Sequence, residues 1–211
     1  MSEFTSKWAK SQKPNAADRI REAFQPAGPI KPKLDWARRQ LQAEIQKLDS
    51  IITKLKKKDK EIFKRTVTAM QKHEAQFATA LSNELAEVRK MSKLVSQAKL
   101  ALEQIALRLT TVEDLGDVAV VLAPAAGIIR SIKSGLADVM PEAESELGEI
   151  NSMLSNILVE AGQLRGLTLN FEAANEEAEK ILAEASAVAE QRIKQNFPDL
   201  PSLGAEEKTT Q

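Results

Sequence analysis

The stretch "LDWARRQLQAEIQKLDSIITKLKKKDKEIFKRTVTAMQ", Leu34 to Gln71, decides how this chain folds. Its apolar residues recur at Leu34, Ala37, Leu41, Ile45, Leu48, Ile52, Leu55 and Ile62, then at Val67 and Met70. Steps of three and four dominate, which marks one apolar stripe along an α-helix of coiled-coil type. A second stripe follows at Phe77, Leu81, Leu85, Val88, Met91, Val95, Ala98, Leu102, Ile105, Leu109 and Val112. No glycine or proline lies between Lys33 and Leu115, so nothing there forces a long interruption. Each stripe covers roughly 35–40 residues, about 55–60 Å of helix. A stripe this narrow needs another helix to cover it, and an antiparallel hairpin of the two supplies the cover. The rhythm lapses at "QKHEAQ", residues 71–76, where the turn is expected. No strong turn residue stands there, so one continuous helix is the competing reading.

Outward from this pair the pattern breaks up. Before it, residues 1–32 carry Pro14, Pro26, Gly28, Pro29 and Pro32, and read as an irregular leader. Its first part, "MSEFTSKWAKS", places Phe4 and Trp8 four apart, with Lys7 and Lys10 beside them. If helical, this piece is amphipathic and suits a membrane interface. The alternative is a disordered leader with two incidental aromatics. After Leu115, Gly116, Pro124, Gly127, Gly135 and Pro141 punctuate the chain, and shorter helices are expected. "PEAESELGEINSMLSNIL" opens a new helix, with Pro141 at its first position and Glu142 and Glu144 at the positive end of its dipole. Its stripe is Ala143, Leu147, Ile150, Leu154 and Ile157, and Gly162 and Gly166 are expected to end it. A last helix, about Phe171 to Gln195, has a weak stripe of Phe171, Ala174, Ala178, Ile181, Ala185 and Val188. So small a stripe points to an exchangeable contact rather than a permanent core. The organisation that results is a leader at 1–32, a helical core at 33–168 and an acidic tail at 169–211. The core helices are expected at about 33–72, 75–112, 114–139 and 141–160.

Composition limits the chemistry. The 211 residues include no cysteine, which excludes disulfides, thiolate metal sites and cysteine nucleophiles. Aromatics are few and charged residues make up 28%, a composition that suits long helices. No apolar signal segment stands at the N-terminus. The longest apolar run, Val118 to Ile129, is short for a bilayer and contains Pro124. A cytoplasmic protein is expected. The net charge is zero, yet it is unevenly spread. Residues 1–108 hold 23 Lys+Arg against 12 Asp+Glu, a net of +11, and residues 109–211 hold 7 against 18, a net of −11. A basic half for an anionic partner and an acidic half that competes for it would look like this. Two solvated faces of opposite sign would look the same.

Enzyme signatures do not emerge. Neither phosphate-loop nor dinucleotide-binding glycine patterns occur. His73 is the one histidine, in the expected turn, and reads as solvated. Glu142, Glu144 and Glu146 alternate along one helix and do not converge on a metal. No cofactor is expected. The strongest charge signal is "KLKKKDKEIFKR", with Lys54, Lys56, Lys57, Lys58, Lys60, Lys64 and Arg65 against Asp59 and Glu61. Such a cluster attracts anionic lipid at about 1 kcal/mol per residue near the surface, and nucleic-acid phosphates as well. Phe63 is the only stacking platform within it, which favours a membrane over nucleic acid. A solvated coiled-coil surface is the bland alternative.

In order, length and charge layout, residues 34–158 resemble the ESCRT-III proteins, most closely the archaeal cell-division members of the CdvB type. The resemblance is carried by the basic first helix quoted above, by "NELAEVRKM" and "ALEQIALRLTTV", and by "VMPEAESELGEINSMLSNIL". It implies an all-α fold: a long antiparallel helical hairpin, or its extended open form, followed by shorter helices. It also implies a non-enzymatic subunit that alternates between a closed soluble monomer and an open form. The open form polymerises with itself and with paralogues on the inner face of an anionic membrane and constricts it, without binding nucleic acid. Opening would fuse the second and third helices around a hinge at Gly116. "NFPDLPSLG" resembles the family's motif for the MIT domain of an AAA ATPase that disassembles the polymer. Phe197, Pro198, Leu200, Pro201 and Leu203 would form that extended, solvent-facing handle, proline limiting the entropy lost on docking. A further proline that can follow the motif is missing, since Gly204 stands there. The winged-helix domain of some relatives is not expected in the ten residues after Pro201. A passive coiled-coil scaffold and a nucleic-acid-binding helical protein remain the competing functions.

Overall fold

Both stripes become helices and pack against each other. The computed structural model describes residues 30–112, 115–137, 139–165 and 171–200. Helix α1 spans Ile30–Gln71 and α2 spans Ala75–Thr110, with α3 at Leu115–Leu136, α4 at Pro141–Arg165 and α5 at Phe171–Asn196. All regular structure among the described residues is helical.

The long pair is a hairpin, not one continuous helix, and its turn falls at residues 72–74. His73 makes that turn, with φ at 58°. Its N–H bonds the Met70 carbonyl at 3.0 Å, and the Glu74 N–H reaches back to the Ala69 carbonyl at 3.0 Å. This paired closure is the Schellman motif, in which a left-handed residue ends the helix. Glycine fills that position at least strain, so a histidine there hides the turn from a sequence reader.

Beside the turn the core stripe shifts. Thr66, Ala69 and Ala78 are buried, whereas Phe77, expected in the stripe, is about half exposed at 47%. Small residues let the two backbones approach at the tip, where no third helix packs on them. The tip cluster is Ile62, Ala69, Ala78, Leu81, Leu85 and Val88. The displaced Phe77 ring lies under the Arg65 guanidinium, 5.9 Å from its centroid. Further down, α3, α4 and α5 cover the hairpin over a larger core that includes Leu41, Leu48, Leu102, Leu122, Leu147 and Ile181. Helix α4 packs on α1 and α3, and α5 packs on α2 and α3.

Two expected interruptions do not occur. Gly116, Pro124, Gly127 and Gly135 all fall within the single helix α3. Val118, Leu122, Ile128, Ile129, Ile132 and Leu136 are buried along it. Pro124 leaves the carbonyl four residues back without its usual donor, and Val120, which carries it, is 74% exposed and open to water. The apolar stretch is consequently longer than the run read from sequence. Val118–Leu136 is long and apolar enough to cross a membrane, but half of it is buried inside the bundle, as a core helix would be. Likewise α4 runs through Gly162 to Arg165. Burial of Leu158 and Ala161 outweighs the roughly 1 kcal/mol penalty of a helical glycine. Gly166 lies outside the described residues.

Candidate interaction site at the junction of tail and hairpin

Helix α5 docks through small side chains. Ala174, Ala178, Ile181, Ala185 and Ala189 are buried, whereas Val188, expected in the stripe, is exposed. The Phe171 side chain is outside the described residues. At the far end the Phe197 N–H still bonds the Ile193 carbonyl at 3.0 Å. Pro198 then stops the helix, having no N–H to continue it.

The strip that follows is not solvent-facing throughout. Phe197 is only 5% exposed, and Leu200 is half-buried against the tip cluster. Pro198 and Asp199 are exposed, while Pro201 and Leu203 lie outside the described residues. Arg89 of α2 clasps the strip. Its guanidinium stands 5.6 Å from the centre of the Phe197 ring, and its Nη2 donates to the Pro198 carbonyl at 2.8 Å. Its Nε donates to Asp59 Oδ1 of α1 at 2.8 Å. The Asp59 side chain is 2% exposed, and a carboxylate so deep needs such a partner. Asp59 therefore orients Arg89, and Arg89 holds the tail. The run of lysines gave no hint that its one aspartate points inward. In hindsight the signal is Asp59 itself, an acid placed three residues before Ile62 on the packed face.

The basic residues stay on the surface. Lys54, Lys57, Lys58, Lys60, Lys64 and Arg65 are exposed and Lys56 is half-buried. Lys58 is engaged by Glu84 at 3.2 Å. Phe4, Lys7, Trp8 and Lys10 lie outside the described residues. Gly116 is the second residue of α3, next to the break between Thr110 and Leu115. Of Glu142, Glu144 and Glu146, two face cations: Glu144 meets Lys133 at 3.4 Å and Glu146 meets Lys47. Among the described residues no group of acids or histidines could hold a metal ion.

The oppositely charged halves touch. Lys33 pairs with Glu160, Lys47 with Glu146, Lys93 with Glu190 and Arg108 with Glu177. Arg108 holds the Glu177 carboxyl below its ordinary range, and Lys93 does the same for Glu190. Each pair is substantially exposed, so each contributes little on its own and weakens with salt. Together with an alanine-rich face they make a contact that salt or a competing anion can loosen.

One group works against closure. Glu44 of α1 is 1% exposed and faces α4, and neither of its oxygens has a donor in the protein. Burial, and then the neighbouring Glu146 carboxyl, push its pKa up to about 7. A proton on Glu44 donated to Glu146 resolves the contact, and it keeps the Glu146 carboxyl low, as does Lys47. Lys47 Nζ stands 3.8 Å from Glu44, too far for a hydrogen bond. The sequence carried a legible signal: Glu44 falls three after Leu41 and four before Leu48, on the apolar stripe.

The chain is similar to two archaeal proteins. It is 40% identical over 176 residues to cell division protein B1 of Sulfolobus acidocaldarius, covering 83% of this chain and 82% of that one. It is 32% identical over 161 residues to cell division protein B of the same organism, covering 76% of this chain and 62% of that protein. No family model matches the chain. No solved structure matches it either.

Proposed function

Because the chain belongs to the CdvB-type cell division proteins, we propose that it is an ESCRT-III-like, polymer-forming subunit acting at the inner face of the membrane in archaeal cell division. The observation that carries this reading is the contact between a basic hairpin and an acidic tail, made by exposed ion pairs and small side chains. In this reading the folded-back chain is the soluble resting form. An anionic membrane competes with the acidic helices for the lysines of α1, each worth about 1 kcal/mol near such a surface. Displacing α4 and α5 frees hairpin surface for further copies or paralogues, and α2 and α3 extend about Gly116. The leader adds Phe4, Lys7, Trp8 and Lys10 to the membrane contact. Polymerisation constricts the membrane; no catalysis by this chain is required.

The strip from Phe197 to Leu203 is, on this reading, the handle for the MIT domain of a disassembling AAA ATPase. While Arg89 holds Phe197 and Pro198, the handle is engaged internally. Opened subunits would offer it and resting ones would withhold it, so that ATPase work falls on assembled chains.

Sedimentation with anionic liposomes, followed by negative-stain imaging of the pellet, tests the proposal. The full chain and a chain ended at Gly166 are compared at low and high salt. The truncated chain should pellet and form filaments or tubules while the full chain stays largely soluble. Small oligomers from both, with no pellet, would favour a passive scaffold. Binding to DNA at least as strong as binding to liposomes would favour a nucleic-acid role.

A further inference from the structure

Where α1, α2 and the end of α5 meet, a cavity of about 100 Å³ has a wall unlike the rest of the interface. Lys56 contributes from α1, Ser92 and Lys99 from α2, and Arg192 from α5, with Asp49 as the one acid on the wall. Lys99 takes that acid and holds its carboxyl below the ordinary range. Lys56 and Arg192 make no ion pair among the described residues. Lys99 also meets Glu103 at 3.7 Å, so three cations stand against two carboxylates, on both sides of a joint between tail and hairpin.

Ser92 supplies an independent sign. It is fully buried, and its hydroxyl has no hydrogen-bond partner in the protein. A serine or threonine within a helix ordinarily satisfies itself on the carbonyl four residues back. Thr66, buried in the same hairpin, does so at 2.9 Å. Ser92 instead lines the cavity with its hydroxyl unpaired, and an acceptor entering there would complete it. A buried donor left unmade is costly, and surplus positive charge beside it selects an anion.

We infer that this cavity binds a phosphate group, which bridges Lys56 of the hairpin to Arg192 of the tail and accepts the Ser92 hydroxyl. The volume suits a small oxyanion, being well above the ~10–15 Å³ that a single water needs. Charge-assisted bonds to two cations are the strong kind. Because Arg192 sits on α5 and Lys56 on α1, the ligand favours the docked tail over the released one by mass action. This site rests on the folded-back arrangement and not on the membrane reading.

Isothermal titration of the full chain with inorganic phosphate, at constant ionic strength in chloride, tests the site. A parallel titration uses vesicles of phosphatidic acid in phosphatidylcholine. Saturable binding of inorganic phosphate is expected. Lys56→Ala or Arg192→Ala should each weaken it about tenfold or more, the usual loss when a hydrogen bond to a charged group is removed. Lys180→Ala, on the exposed face of α5 about 18 Å further along the helix, should change nothing. Ser92→Ala should fold at least as stably without phosphate, yet lose the rise in unfolding temperature that phosphate gives the unsubstituted chain. Binding of the vesicles alone, with the same dependence on Lys56 and Arg192, assigns the phosphate to a lipid headgroup. No binding of either probe, or equal weakening by Lys180→Ala, overturns the inference. Because inorganic phosphate is read without vesicles, failure of membrane sedimentation would leave this result untouched.

Discussion

Replacing Glu44 by glutamine should make the folded-back bundle clearly more stable above neutral pH and only slightly more stable in mild acid. In the bundle the carboxyl titrates near 7 in place of its ordinary 4.5. Burial is the larger cause and the neighbouring Glu146 the second. At about 1.36 kcal/mol per unit, full loss of that environment on unfolding is worth about 3 kcal/mol. The raised value means that the folded state holds the proton more tightly than the unfolded state. Below 4.5 both states are protonated and the site costs nothing. Between 4.5 and 7 the bundle loses stability as pH rises, and above 7 the full penalty stays in place. Glu146, Asp49, Glu177 and Glu190 have lowered values, so their contributions disappear only in more acidic solution. The windows are therefore separate. Urea unfolding followed by far-UV circular dichroism at pH 5 and pH 8 gives the measurement. At pH 5, only half a unit above the unfolded value, the variant should lead by no more than about 1 kcal/mol. At pH 8 the variant should lead by about 2–3 kcal/mol. An equal difference at both values would mean that Glu44 does not titrate in this window, and its burial against Glu146 would lose its explanation.

Arg89→Ala strands the buried Asp59 carboxylate and should cost about 3 kcal/mol, the scale for breaking a buried pair from one side. Adding Asp59→Asn should restore most of that stability in denaturant titration, while protease cleavage near Phe197 stays fast because the clasp is gone. His73→Gly relieves a left-handed residue and should stabilise the chain by up to about 1 kcal/mol, reduced by glycine's greater freedom when unfolded; thermal unfolding reads it. Exchanging charges at Lys93 and Glu190 should show a small favourable coupling in a double-mutant cycle, and the coupling should fall as salt is raised.

Much of the helical architecture was open to a reader of the sequence. The rhythm of Leu34 to Ile62 and of Leu81 to Leu109 requires two long amphipathic helices, because only that geometry gathers those residues on one side. Pro141 with its acidic followers marks the start of α4 for equally local reasons. Where local signals misled, packing had overruled them. Pro124 and Gly162 lie inside helices because neighbouring apolar side chains are buried there. His73 turns the chain because the two helices must close on each other.

The candidate site divides along the same line. That Phe197, Leu200 and the prolines form a stiff apolar strip, and that the halves carry opposite charge, follows from residue identity alone. Which surface receives the strip does not. Asp59 and Arg89 are thirty positions apart, and Pro198 lies 109 positions beyond Arg89; only the bundle brings all three within hydrogen-bonding distance. Glu44 acquires its proton, and Ser92 its unspent hydroxyl, for the same reason. Periodicity is a property of one helix and is written in consecutive residues. Burial of a charge or a donor depends on what another helix lays over it, and that is set by tertiary packing.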